Sequence, residues 1–91
     1  MVLSKTHFLS EINLHRCGLT NDSAKHIAAI INQKYKLRSI NLSNNGITDE
    51  GARDILAAIQ VNPYLVKIRI DLNPIRTHLL REIENIANQN S

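Results

Sequence analysis

Tryptophan is absent from this sequence, and only three aromatic side chains, Phe8, Tyr35 and Tyr64, stand among its 91 residues. A groove that stacks successive bases needs more rings than that. A basic run is missing too. Eleven cations and eight anions are scattered along the chain for a net +3, without the patch that phosphate neutralisation requires. Nucleic acid is therefore not an expected partner. The lone cysteine, Cys17, excludes an intramolecular disulfide and suits a reducing compartment. No apolar stretch approaches the roughly 20 residues that cross a bilayer, so no membrane partner is expected either. The opening segment MVLSKTHFLSEINL has no uninterrupted apolar h-region and does not read as a signal peptide. The expectation is a single small cytoplasmic domain with a modest core.

What is present is a phrase written three times: INLHRCGLTNDSA from Ile12, INLSNNGITDEGA from Ile40 and IRIDLNPIRTHLL from Ile68. Six columns stay in phase at a spacing of 28: Leu9, Leu37, Leu65; Ile12, Ile40, Ile68; Leu14, Leu42, Ile70; Cys17, Asn45, Asn73; Leu19, Ile47, Ile75; and Ile27, Ile55, Ile83. Chance does not hold six columns over three copies. Three repeats follow, over residues 9–36, 37–64 and 65–91, with residues 1–8 as a partial N-terminal cap in which Val2, Leu3 and Phe8 cover part of the first core layer.

Within each unit the period changes. Ile12-Asn-Leu14 and Ile40-Asn-Leu42 alternate apolar and polar, as a short half-buried strand does. Helical spacing follows, through Ala24, Ile27, Ala28 and Ile31 in the first unit and Ala52, Ile55, Leu56 and Ile59 in the second. Thr20 and Thr48 precede these runs as N-caps, whose hydroxyls can accept from an orphan N–H of the first turn. Asp49 and Glu50 add negative charge at the positive end of the helix dipole. In the third unit the matching position is Arg76, so Thr77 is expected to take the cap one residue later, ahead of Leu79, Leu80, Ile83, Ile86 and Ala87.

A strand, a turn and a helix cannot bury an apolar face alone, but stacked units share a continuous core. The chain resembles a leucine-rich repeat protein, and its 28-residue period with a full α-helix is similar to the ribonuclease-inhibitor-like subclass. Each unit reads L-x-x-I-x-[L/I]-x-x-[N/C]-x-[L/I] over residues 9 to about 88. Cys17 in the column of Asn45 and Asn73 suits that subclass. A side chain there points into the turn and can bond backbone groups left unpaired as the strand ends. The resemblance implies an α/β fold: a short right-handed β-α solenoid with a parallel three-stranded sheet on the concave side and helices on the convex side.

Strand alternation turns the neighbours of the inward residues onto the sheet face. These are Glu11, Asn13 and His15, then Ser39, Asn41 and Ser43, then Lys67, Arg69 and Asp71, with Arg16 and Asn44 at the rim. In the family this face and rim are the usual docking surface, so these residues are expected to meet a protein partner. Any such scaffold carries solvated polar residues on these columns, and no exposed aromatic is expected to act as an anchor.

Three tempting chemistries fail on inspection. His15, Ser43 and Asp71 share a column, but a hydrolase triad needs its histidine between the other two. Asn41 to Gly46, NLSNNG, has the skeleton of an EF-hand loop, yet Ala52 stands where the bidentate glutamate belongs. His78 and Glu82, four apart on the third helix, have no third ligand. No enzyme activity, metal or cofactor is expected. The first expectation is a non-catalytic interaction module. A structural subunit or fragment of a larger leucine-rich repeat assembly is the second, because the period would place its next leucine just past Ser91. Two exposed sheet edges also permit self-association. A GTPase regulator, by analogy with the Ran-directed member of the subclass, is the third.

Overall fold

In the computed structural model, which describes residues 11–33 and 37–90, Ile12, Ile40 and Ile68 sit side by side on three parallel strands. The strands are β1 (Glu11–Asn13), β2 (Ser39–Asn41) and β3 (Lys67–Arg69), in that spatial order. Each is followed by a helix: α1 (Asn21–Asn32), α2 (Asp49–Gln60) and α3 (Thr77–Gln89). Glu11 aligns with Ser39 and Lys67, and Asn13 with Asn41 and Arg69. The sheet register thus equals the sequence period. Leu9 and the expected cap over residues 1–8 lie outside the described residues.

The ladder outlasts the strands themselves. Leu14 and Arg16 donate their N–H groups to the carbonyls of Asn41 and Ser43 at 2.8 and 3.0 Å, and Leu42 and Asn44 do the same to Arg69 and Asp71 at 2.6 and 3.0 Å. Parallel strands need a crossover, which α1 supplies between β1 and β2 and α2 between β2 and β3, while α3 follows the last strand. Leu42, Ile47, Ile55 and Ile59 of the middle unit are fully buried with Leu65, Ile70 and Ile83 of the third. Each such side chain contributes about 1.5–3 kcal/mol relative to leaving it in water. Ile12, Leu14 and Leu19 of the first unit are only partly buried against this core. The alternating strand–helix order fits a β-α repeat.

The starts of α2 and α3 are built across units, whereas α1 opens on a capping contact of its own, from the Thr20 N–H to Ser23 Oγ at 3.3 Å. Thr20 and Thr48 are N-caps as expected, but the Thr48 hydroxyl caps nothing in its own helix. It accepts from the Asn21 carboxamide at 2.7 Å, while Asn21 Oδ1 accepts the N–H groups of Thr48 and Gly51 at 2.9 and 3.1 Å. One unit later, Asp49 Oδ1 accepts the Arg76 N–H at 2.8 Å. The N-cap of α3 is therefore Arg76, not Thr77, which is the first helical residue. With Asp49 reaching over from the previous unit, the backbone at residue 76 needs no acceptor of its own.

Candidate interaction surface

After each strand the chain enters the left-handed region at the same column, Arg16 (φ 55°), Asn44 (φ 59°) and Leu72 (φ 59°), and the first unit enters it again at Gly18 (φ 73°). The residue after that column carries the turn. Asn45 donates its carboxamide N–H groups to the carbonyls of Leu14, Leu42 and Ser43, and its Oδ1 accepts from Cys17 and Leu19 N–H, all within 3.1 Å. Asn73 repeats the pattern, donating to Leu42, Ile70 and Asp71 and accepting from Asn45 and Ile47 N–H. Each carboxamide satisfies its own turn and the turn before it. Cys17, in the same column, offers one weak contact from Sγ to the His15 carbonyl at 3.5 Å and is exposed.

This frame fixes the sheet face that looks away from the helices. Asn13 Oδ1 accepts the His15 N–H at 3.0 Å, and Asn41 Oδ1 accepts the Ser43 N–H at 2.9 Å. In the third unit the corresponding pair is Arg69 and Asp71, bridged at 3.3 Å between guanidinium and carboxylate. Residues two apart are thus linked in all three units, through a backbone N–H in the first and through both side chains in the second and third. This limits the rotamer freedom of the groups that bond. Glu11, Asn13, His15, Arg16, Asn44, Lys67 and Arg69 are exposed, and Ser39, Asn41 and Asp71 are half-buried.

Ser43 departs from expectation. It is fully buried, because it is the middle member of its column and its hydroxyl is engaged by both Asn41 and His15. Its hydroxyl donates to Asn41 Oδ1 at 2.6 Å and lies 2.8 Å from His15 Nδ1. With the hydroxyl proton committed to Asn41, His15 Nδ1 must be the donor to Ser43 Oγ, which leaves Nε2 outward. His15 and Ser43 therefore meet, but in the reverse of the proton direction a general base requires. Asp71 is engaged by Arg69 instead. Ser43 supports the face and does not present itself to a partner.

A shallow open groove of about 350 Å³ crosses the face, lined from Glu11 and Asn13 on β1 through Ser39 and Asn41 to Lys67 and Arg69 on β3. A second of about 340 Å³ adjoins it at the strands' N-terminal ends, where Arg38 and Val66 join Glu11, Ser39 and Lys67. Among the described residues no three His, Cys, Asp or Glu side chains come together as a metal site. No described helix is long and apolar enough to cross a membrane.

Reading the sequence for apolar columns missed several features. Leu72 is 67% exposed at the rim, although its membership of the Arg16 and Asn44 column was visible at the 28-residue spacing. Tyr64 is an exposed aromatic after all, placed in the turn after α2 and off the sheet face. A second asparagine pair keeps the same period. Asn62, buried, donates to the Ile31 carbonyl at 2.8 Å, and Asn90 to the carbonyls of Asn62 and Leu65 at 3.2 and 2.8 Å.

A family model described as Leucine Rich repeat matches residues 36–56, the stretch that spans β2, the Asn45 turn and the first two turns of α2. Together with three parallel strands and three helices in alternation, the match supports a leucine-rich repeat protein. Domains of that family generally mediate protein–protein interaction and are generally non-catalytic. No curated protein matches the chain.

Proposed function

We propose that this chain is a non-catalytic protein-interaction module that docks a protein partner on the outer sheet face and its rim. The scaffold is a single domain over residues 1–91, with units at 9–36, 37–64 and 65–91 wound as a short right-handed solenoid of the ribonuclease-inhibitor-like kind, its sheet on the concave side. The cytoplasm suits its one unpaired cysteine.

One observation carries the reading. Leu72 holds an apolar side chain in solvent, at the rim of the face, in a backbone conformation that costs a leucine about 1–2 kcal/mol. Burial against a partner would regain about 1.5–3 kcal/mol from that side chain. On the same sheet face, Arg69, Asp71, Asn41 and His15 are held by hydrogen bonds, which lowers the ordering cost of docking.

Selection of binders from a random peptide library displayed on phage tests the proposal. Binders should lose affinity for Leu72→Asp and Arg69→Glu, and should keep it for Arg81→Glu on the helical side. Binders that depend on Arg81 and ignore Leu72 would overturn it.

A second reading, a subunit of a larger repeat assembly, is favoured by the one-way caps. Asn21 and Asp49 each serve the following unit, and Thr77 stands at the next position of that column. Sedimentation equilibrium over a range of protein concentrations separates the two, since this second reading requires association.

A further inference from the structure

The groove at the strands' N-terminal ends has an electrostatic direction, and from it we infer the chemistry of the partner: an extended acidic segment lying along β3, with carboxylates at alternate residues. The inference rests on the interaction-module reading above and narrows it. Arg38 and Lys67 line one groove, and the N–H groups of Val66 and Lys67 both donate to the Arg38 carbonyl at 2.9 and 3.1 Å, which fixes the two cations as neighbours. Neither has an ion-pair partner among the described residues. Arg69 follows Lys67 at the next outward position of the same strand, roughly 7 Å along it. Its bridge to Asp71 is solvent-exposed, and such pairs exchange at little cost.

The spacing selects the ligand. An extended chain repeats its side chains on one face every two residues, so glutamates at alternate positions match the spacing of Lys67 and Arg69, while Arg38 closes the end. Glu11 faces Lys67 across Ser39 in the sheet register, about 10 Å away. It gives the groove a negative far side, which keeps an acidic segment on β3 and away from β1. Nucleic acid fits less well, because no aromatic lines either groove to stack a base.

The probe is a fluorescein-labelled (Glu-Ser)4 peptide, read by fluorescence polarisation beside (Gln-Ser)4, (Lys-Ser)4 and an eight-nucleotide oligothymidylate. The acidic peptide is expected to bind tightest. Arg38→Ala and Lys67→Ala should each weaken it about two- to fivefold, as exposed charge contacts do. Glu11→Gln should tighten it, and Arg81→Ala should change nothing. All four substitutions are at exposed positions, and circular dichroism confirms that each variant is folded. Equal affinity for the Gln peptide, equal loss in Arg81→Ala, or tighter binding of the oligonucleotide would overturn the inference. Phage-selected binders that need Leu72 and Arg69 but carry no acidic residues would overturn it while leaving the interaction module standing. Binders that ignore the sheet face would remove the module reading itself.

Discussion

Asn21 and Gly51, thirty residues apart, share one hydrogen bond of 3.1 Å, and that bond is how the first unit starts the helix of the second. Gly51 is buried in the first turn of α2, a place where glycine ordinarily weakens a helix by about 1 kcal/mol relative to alanine. Here a Cβ would meet Asn21 Oδ1 at 2.5 Å, Ala24 Cβ at 2.9 Å and Ile47 Cγ2 at 3.0 Å. The close approach of α1 to α2 needs the missing side chain.

Gly51→Ala is accordingly expected to destabilise the domain by about 1–3 kcal/mol, despite its better helix propensity. Asn21→Ala should cost about 1 kcal/mol through the lost cap. The two should not add. Removing the Asn21 carboxamide also removes the nearest clash, so the double variant should be more stable than the sum of the single losses. Urea denaturation of all four proteins measures the coupling. A Gly51→Ala protein as stable as the parent would refute the packing account.

The three members of the 17, 45 and 73 column carry unequal loads. Asn45→Ala strips partners from the turns of two units and should cost about 2–4 kcal/mol, a large part of the stability of a small domain. Asn73→Ala, with the same number of bonds, should fall within about 1 kcal/mol of it. Cys17→Ala loses one exposed 3.5 Å contact and should stay within about 0.5 kcal/mol of the parent. Chemical denaturation that ranked Cys17 beside the asparagines would contradict this order.

These asparagines also mark the limit of what the sequence discloses. Ile12, Ile40 and Ile68 are legible because burial accepts few residue types, so the column repeats itself almost unchanged. Asn21, Asp49 and Thr77 occupy an equally regular column, but several residue types suffice for capping. The column therefore drifts and escapes notice, and Arg76 was passed over as an N-cap for the same reason. Ser43 was misplaced on different grounds. It lies two residues beyond its strand like His15 and Asp71, but it is the middle member of that column and its hydroxyl is engaged by both Asn41 and His15, so its side chain is fully covered where theirs are not. The outward columns of β1 and β3 were readable because they lie within or next to the strands. Leu72 was readable only as a member of the rim column, since nothing in a leucine announces exposure.

Leu72 yields a prediction in which stability and binding move in opposite directions. Asn44 occupies the equivalent position at the same φ of 59°, and asparagine tolerates that region better than leucine. Leu72→Asn should therefore stabilise the free domain by about 1 kcal/mol, raising its melting temperature by roughly 4–8 °C. The same change should weaken selected peptide binders, because the apolar rim contact is gone. A variant that is both less stable and an equally good binder would show that Leu72 serves the fold alone.

His15 reports on the buried hydroxyl beneath it. Ser43 Oγ donates to Asn41 and accepts from His15 Nδ1, so neutral His15 should be held as the Nδ1–H tautomer. In Ser43→Ala that acceptor is lost, and the ring should shift towards the Nε2–H form that an unconstrained histidine side chain prefers. The Asn41 carboxamide keeps its bond from the residue 43 backbone N–H, so the strand end should stay formed. The cost in stability should be about 1–2 kcal/mol, as for a buried hydrogen bond. Long-range ¹⁵N–¹H correlation spectra of the His15 ring, recorded at a pH where it is neutral, distinguish the tautomers directly. A parent protein already in the Nε2–H form would mean that the Ser43 proton points at His15. Asn41 would then lose its role in orienting the face.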